Sequence, residues 1–94
     1  MPLTSKDRAR LRSLAHSLKP ILQVGAEGVS PAFLGSLDEA FRTRELLKVK
    51  VLEGAPVSVR EAATEIEQGL EDVSTVQTIG RTAVLFRPLP EDDG

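Results

Sequence analysis

Residues 46–61, LLKVKVLEGAPVSVRE, decide the fold, because a strand, a turn and the start of a helix follow one another within them. At the beginning of this stretch, hydrophobic residues alternate with Lys48 and Lys50, and a period of two is typical of a strand that buries one face. The glycine and proline that follow predict a turn. Ser58 and Glu61 then have the Ser-x-x-Glu spacing of a capping box, which predicts the N-terminus of a helix.

The residues before this unit predict two helices and a further strand. Thr4 and Asp7 form a shortened capping box for the first helix, and Pro20 ends it, because proline excludes the preceding residue from helical geometry. Ser30 is a suitable N-cap for the second helix, which has a proline in its first position. The expected elements are a helix over 5–19, a strand over 21–24, a helix from 31 to about 44 and a strand over 46–52.

The residues after the unit predict the third helix, a hairpin and a tail. Gly80 and Arg81 are expected to form a type II′ turn between strands over 75–79 and 82–87, with glycine in the position that needs a positive φ. Residues 88–94 contain three acids and two prolines, and we predict that they form a disordered acidic tail. The hydrophobic spacing predicts a core that includes Leu11, Leu14, Ala15, Leu18, Leu34, Leu37, Phe41, Ala62, Ala63, Ile66 and Leu70.

The predicted order is therefore α-β-α-β-α-β-β, an α/β chain of the two-layer α+β type with a four-stranded mixed sheet. Strands that are separated by helices are expected to run parallel, and the hairpin makes the fourth strand antiparallel. The 94 residues allow one domain, predicted over residues 1–87. No apolar run is long enough to cross a bilayer and no signal-peptide core is present, so we expect a cytoplasmic monomer that does not contact membranes.

Composition excludes several kinds of chemistry. The chain has no cysteine, which excludes disulfides and thiolate metal sites. His16 is the single histidine, so a multi-histidine metal site is impossible, and no metal, cofactor or catalytic residue is predicted. One alternative is a small enzyme in which His16 serves as the base.

Charge is unevenly distributed along the chain. The net charge is −2, yet residues 1–50 contain nine Lys or Arg and five Asp or Glu, whereas residues 51–94 contain three and nine. Such asymmetry indicates an anionic partner, because phosphate binding depends on the local field of one surface. The alternative is chance scatter together with an acidic tail.

The loop Gly25-Ala26-Glu27-Gly28 separates a predicted strand from a predicted helix. Glycines lack a Cβ and let a ligand approach the backbone, and N–H groups near a helix N-terminus can bind phosphate. KH domains clamp a nucleotide backbone with a loop of this Gly-x-x-Gly pattern. The alternative is that the two glycines only permit a turn.

Basic residues form a second candidate site. The helical spacing of Arg8, Arg12, His16 and Lys19 predicts one stripe that leads toward the glycine loop, as a site that follows a nucleic-acid backbone requires. If helices cover one sheet face only, Lys48 and Lys50 lie on the open face, and Arg81 lies at the hairpin tip. The alternatives are a solvated helix face, edge protection by lysine and an ordinary turn residue.

Aromatic residues are scarce. The chain has three phenylalanines and neither tyrosine nor tryptophan. Stacking of splayed bases is therefore not expected to dominate, and contacts to a nucleic acid should go mainly to phosphate and sugar.

An ordered set of short motifs resembles the CRM domain, specifically its bacterial YhbY type. The motifs span about residues 3–87, and they are Thr4-Ser5-Lys6, Leu11-Arg12, Leu14-Ala15-His16, Leu18-Lys19-Pro20, Gln23-Val24-Gly25, Gly28, Glu45-Leu46, Lys48-Val49-Lys50-Val51, Gln77, Ile79-Gly80-Arg81 and Leu85-Phe86-Arg87.

The resemblance implies a fold similar to the C-terminal domain of translation initiation factor three. It also implies an RNA-binding protein that associates with ribosomal RNA in precursors of the large ribosomal subunit and assists their assembly. The family's proposed RNA contact maps onto Gly25–Gly28, where Ala26 and Glu27 replace the usual basic residue and asparagine. Three alternatives follow: the loop acts through its N–H groups while the first helix supplies the charge, the chain binds RNA weakly, or it meets RNA only beside ribosomal proteins.

A second class of function is a protein-interaction module. The acidic third helix would then dock a basic ribosomal protein. The carboxylate pairs Glu61/Glu65 and Glu67/Glu71 in this region could also be considered as the paired acids of an enzyme. Their spacing of four residues is equally typical of a solvated acidic face.

Overall fold

A computed structural model describes residues 3–89 of the chain. Three helices and four strands alternate in the predicted order. The elements are α1 (Ser5–Ala15), β1 (Leu22–Val24), α2 (Pro31–Ala40), β2 (Leu46–Val51), α3 (Val59–Gly69), β3 (Ser74–Ile79) and β4 (Thr82–Phe86).

The helices begin where the sequence predicts, because each N-cap is formed by residues close together in sequence at the start of its own helix. The Thr4 hydroxyl accepts the Asp7 N–H while the Asp7 carboxylate accepts the Thr4 N–H, and Ser58 and Glu61 form the same reciprocal pair at α3. Ser30 caps α2 by accepting a backbone N–H, with proline in the first helical position. The three predicted helix starts are thus confirmed.

The sheet is mixed, with the strand order β1-β2-β4-β3. β1 is parallel to β2, whereas β4 is antiparallel to both of its neighbours, β2 and β3. The first three strands therefore share one direction, as predicted, and β4 lies between the second and the third. The glycine of the β3–β4 turn has a φ of +57°, as the predicted type II′ turn requires.

The main core lies between one face of the sheet and the pair α2 and α3. The alternating residues of β2 point into it, together with residues of β4 on the same face. Its fully buried large side chains include Leu37, Phe41, Leu47, Ile66 and Leu85.

The opposite face of the sheet is covered in part by α1. Leu11 and Ala15 of this helix pack on Val76 and Val84, so a second, smaller core lies there. The α+β class and the four-stranded mixed sheet are confirmed, but the layering differs from the predicted two layers. Leu11 and Ala15 of α1 are buried against this second face, so the face is open to solvent only beyond the end of α1.

Two helices end earlier than predicted. α1 ends at Ala15 rather than Lys19, and the side chains of Leu14 and Leu18 are 55% and 37% exposed instead of buried. The chain tightens at this point, with the His16 N–H donating to the Ser13 carbonyl, three residues back. α2 ends at Ala40 rather than near residue 44 in the same way, with i to i−3 bonds after its last turn.

The predicted tail lies mostly outside the described residues. Residues 90–94 belong to it and are not described. Of the remaining two, Leu89 is held by its N–H, which donates to the Glu45 carboxylate over 3.1 Å.

Candidate nucleic-acid interface

A groove of about 430 Å³ lies between the C-terminal end of α1 and the sheet. We call it the α1–sheet groove, and its lining residues are Arg12, Ser13, Ala15, His16, Lys48, Gln77, Ile79 and Val84. Three of these residues carry basic side chains, and no carboxylate is among them. The groove therefore offers an anion hydrogen-bond donors and positive charge from both a helix and a strand.

Helical spacing places two of the basic side chains. Arg12 and His16 are four residues apart on one flank of α1, and both are exposed. Ala15 is 2% exposed and anchors this end of the helix to the sheet, so Arg12 and His16 lie beside the contact that fixes the helix.

Lys48 reaches the groove from β2. Its neighbours Leu47 and Val49 point into the main core, so Lys48 points to the α1 face. Its ammonium donates to the Leu18 carbonyl over 2.9 Å, and this bond ties the segment after α1 to the strand. Lys48 therefore helps to fix the shape of the groove and also contributes positive charge to it.

Lys50 lies toward the other end of the same face, and Arg81 lies at the tip of the β3–β4 hairpin at that end of the sheet. Lys50 follows Lys48 by two residues, so it points the same way, and it is exposed. The Arg81 guanidinium is 4.0 Å from the carboxylate of Glu53, and both side chains are well exposed. Such an exposed pair holds a charge only weakly, so Arg81 can exchange Glu53 for another anion.

Two members of the predicted basic stripe are placed differently. Arg8 donates to the carbonyls of Thr75 and Val76 over 2.7 and 3.3 Å, at the irregularity in β3, so its guanidinium serves the α1–β3 contact. Lys19 is exposed beyond the end of α1. Arg12, His16 and Lys48 therefore lie together in the structure. The four residues of the predicted basic stripe do not form one continuous row.

The glycine loop is a closed turn. The Gly28 N–H donates to the Gly25 carbonyl over 2.9 Å, so this donor is used within the loop. Ala26 and Glu27 are exposed at the tip, and within residues 3–89 no hydrogen bond uses their N–H groups. The turn follows β1, and the β3–β4 hairpin tip lies at the same end of the sheet, so the loop and Arg81 share one rim.

The sequence reasoning missed the contribution of β3. Gln77 and Ile79 line the groove, and Ile79 is 53% exposed despite its apolar side chain. The sequence of β3 predicts that its side chains alternate between the two faces of the sheet. Which of these faces lines a groove depends on where α1 packs. Two signals were available: both residues belong to the motifs that resemble the CRM domain, and Ile79 is a large aliphatic residue at a strand end beside a hairpin.

The acidic face of α3 is partly occupied by contacts within the chain. Glu61 caps its own helix, and the Ser58 N–H bonded to its carboxylate lowers the pKa of Glu61. Glu67 accepts both the N–H and the hydroxyl of Thr75 over 2.9 and 2.8 Å. Two of the four paired carboxylates identified in the sequence therefore already have partners.

Two further observations concern other classes of function. Across residues 3–89, no cluster of three or more histidine, cysteine or acidic side chains could hold a metal ion. No helix in the same span combines the length and apolarity that crossing a membrane requires.

The fold and the site together define a class of protein. A small α+β domain with a groove that combines basic side chains with neutral hydrogen-bonding groups, and that no carboxylate of residues 3–89 lines, has the features of a module that binds a phosphate backbone. Comparison with known families assigns the chain more narrowly. Residues 3–87 match the CRS1 / YhbY (CRM) domain, and the chain belongs to this family.

Individual relatives agree with this assignment. The chain is 40% identical to "Probable RNA-binding protein YqeI" of Bacillus subtilis, over 96% of this chain and 93% of that protein. It is 34% identical to a protein of Haemophilus influenzae named RNA-binding protein, over 95% and 89% of the two chains. The solution structure of a hypothetical protein from Staphylococcus aureus superimposes with a TM-score of 0.80 at 34% identity, covering 98% of this chain and 95% of that one. The predicted family and fold are thereby confirmed.

Proposed function

We propose that the chain is a non-catalytic RNA-binding protein that associates with ribosomal RNA in precursors of the large subunit and assists their assembly. Arg12, His16 and Lys48 hold RNA phosphates in the α1–sheet groove. Lys50, Arg81 and the glycine turn extend the contact along the same face.

The observation that carries the proposal is the composition of the groove. Two elements distant in sequence supply Arg12, His16 and Lys48 to one cavity, and among residues 3–89 no carboxylate lines it. Cations concentrated in a cavity walled by protein produce a stronger local field than the same charges scattered on a convex surface. A net charge of −2 therefore does not prevent binding of a phosphate backbone at this place.

RNA is the favoured polyanion because relatives over nearly the whole chain are named RNA-binding proteins. The ribosomal target rests on the resemblance to YhbY-type domains, whose single-domain bacterial members associate with precursors of the large subunit. Within the described residues, no carboxylate lines the groove beside His16, which supports a binding role, since a histidine base is usually oriented by an acid.

The test is a charge reversal with a matched control on the same helix. Arg12→Glu places a carboxylate in the groove. Arg10→Glu makes the same charge change two residues earlier, at an exposed position outside the groove lining. Sedimentation of each tagged protein in a low-salt sucrose gradient of cell extract shows whether it migrates with large-subunit precursors, and anisotropy with labelled ribosomal RNA fragments gives the affinity.

We expect the wild-type protein and Arg10→Glu to migrate with the precursors and Arg12→Glu to remain at the top of the gradient, with an affinity loss of about tenfold or more. Equal losses in both variants would place the contact elsewhere than in the groove. If Arg12→Glu migrates normally while charge reversal of Glu65 and Glu71 releases the protein, the interaction is with a basic protein partner through α3.

A further inference from the structure

Beyond the end of α1, one row of the sheet is left uncovered on the groove side. The strand register places Gln23 opposite Lys50, Lys50 opposite Thr82, and Thr82 opposite Ile79, so these four residues cross all four strands side by side. We call them the sheet row. Thr82 is half-buried, and the other three are exposed.

The sheet row continues the α1–sheet groove without a break. Ile79 belongs to both, and the row beneath it consists of Lys48, Val84 and Gln77, all of which line the groove. At about 4.8 Å between strands, the sheet row is about 14 Å wide. The sheet row and the α1–sheet groove together form one surface rather than two separate sites.

The chemistry of this surface is mostly neutral. The amides of Gln23 and Gln77 and the hydroxyl of Thr82 can donate and accept hydrogen bonds, whereas Lys50 is the single cation of the sheet row. Basic side chains border these neutral groups on two sides, with Arg12 and His16 at the end of α1 and Arg81 directly before Thr82.

No aromatic side chain lies in this surface. Phe41 is buried, and Phe33 and Phe86 are half-buried in contacts with the two cores. Unpaired bases bind proteins largely by stacking on aromatic rings, and such a platform is missing from the groove and the sheet row.

We infer that the surface binds a base-paired RNA segment, with Gln23, Gln77 and Thr82 contacting ribose 2′-hydroxyls between flanking phosphates. The minor groove of an A-form duplex displays 2′-hydroxyls and phosphates, and it is recognised by shape and by these groups rather than by sequence. Neutral donors and acceptors bordered by cations match that pattern. This inference rests on the proposed function and specifies the form of RNA that the site takes.

The test compares three labelled ligands of one sequence by fluorescence anisotropy at one salt concentration: an RNA duplex of about 16 base pairs, the matching DNA duplex and one RNA strand alone. The RNA duplex is expected to bind about tenfold tighter than either other ligand. The double variant Gln77→Met, Thr82→Val removes the polar groups with little change in shape. It should weaken binding of the RNA duplex several-fold and leave binding of the DNA duplex unchanged.

Controls separate the possible failures. Thr82→Ser keeps the hydroxyl and should bind like the wild-type protein, and thermal unfolding monitors the fold of each variant. If the single strand binds at least as tightly as the RNA duplex and Arg12→Glu abolishes that binding, the inference fails while the proposed function stands. An equal loss for RNA and DNA duplexes in the double variant also overturns the inference. If no RNA ligand distinguishes the wild-type protein from Arg12→Glu, the proposed function itself fails.

Discussion

Gly25 and Gly28 close the same turn but need glycine to different degrees. Gly28 has a φ of +68°, and a Cβ there would lie 3.3 Å from Cγ of Pro56. At Gly25 a Cβ would meet only Leu52, at an ordinary contact distance of 3.8 Å. The Gly-x-x-Gly pattern thus contains one glycine that the backbone requires and one that it only tolerates.

Alanine substitutions in this turn are expected to differ. Gly28→Ala should lower the free energy of unfolding by about 1–2 kcal/mol, because a residue with a Cβ is disfavoured in the left-handed region. Gly25→Ala should leave it unchanged or raise it by up to about 1 kcal/mol through the entropy of the unfolded chain. Urea denaturation measures both, and equal destabilisation by the two variants would contradict this account.

Asp38 links the end of β4 to α2. Its carboxylate accepts a hydrogen bond from Arg87 over 2.8 Å, and that guanidinium lies 4.9 Å from the ring centroid of Phe41. The hydrogen bond, helped by the charges of Arg87 and Arg42, holds the pKa of Asp38 below its usual value. This bonding therefore favours the ionised carboxylate in the folded state.

The lowered pKa of Asp38 predicts a pH dependence. The stabilisation is complete above the pKa of Asp38 in the unfolded chain, and it is lost as the pH falls through the lower folded value. Asp38→Asn should therefore be less stable than the wild-type protein near neutral pH, and the difference should shrink on acidification. Urea denaturation of both proteins between about pH 7 and pH 2 tests this, and a difference that stays constant over this range would exclude the mechanism.

At the scale of whole elements, α1 shows what the sequence can and cannot predict. Its start follows from Thr4 and Asp7, which are three residues apart and form a local cap. Its end is affected by Lys48, some thirty residues away, which binds the Leu18 carbonyl and holds the chain in a tight turn. Local signals therefore predict the helix starts here, whereas the segment after α1 also makes a contact with a residue distant in sequence, which local signals do not predict.

The contact between α1 and β3 gives Arg8 a structural role. Because its guanidinium bonds two carbonyls in β3, Arg8→Met should lower the free energy of unfolding by about 1–3 kcal/mol. Arg10→Met, at an exposed position on the same helix, should change it by less than about 0.5 kcal/mol. A loss of RNA affinity in Arg8→Met without loss of stability would instead support the phosphate contact predicted from the helical stripe.

In the folded protein, the uneven distribution of charge along the sequence places basic and acidic side chains on different surfaces. The basic residues of α1 and β2 meet on one sheet face, whereas the acids of α3 lie beyond the other. The sequence predicts the two charge populations and most of the elements. It does not predict the groove, because α1, β2 and β3 create it only when α1 packs on the face that a two-layer fold would leave open.

The number of cations on this surface predicts how RNA binding depends on salt. Arg12, Lys48, Lys50 and Arg81 are four permanent charges there, and each duplex phosphate that they neutralise contributes about −0.9 to the slope of log K against log salt concentration, so a slope of about −4 is expected. Lys50→Gln should make the slope about one unit shallower, while Arg10→Gln should not change it. Anisotropy titrations with an RNA duplex over a range of salt concentrations measure each slope. A wild-type slope more than twice as steep would require cations outside the groove and the sheet row, and a slope near zero would mean that phosphates are not the ligand.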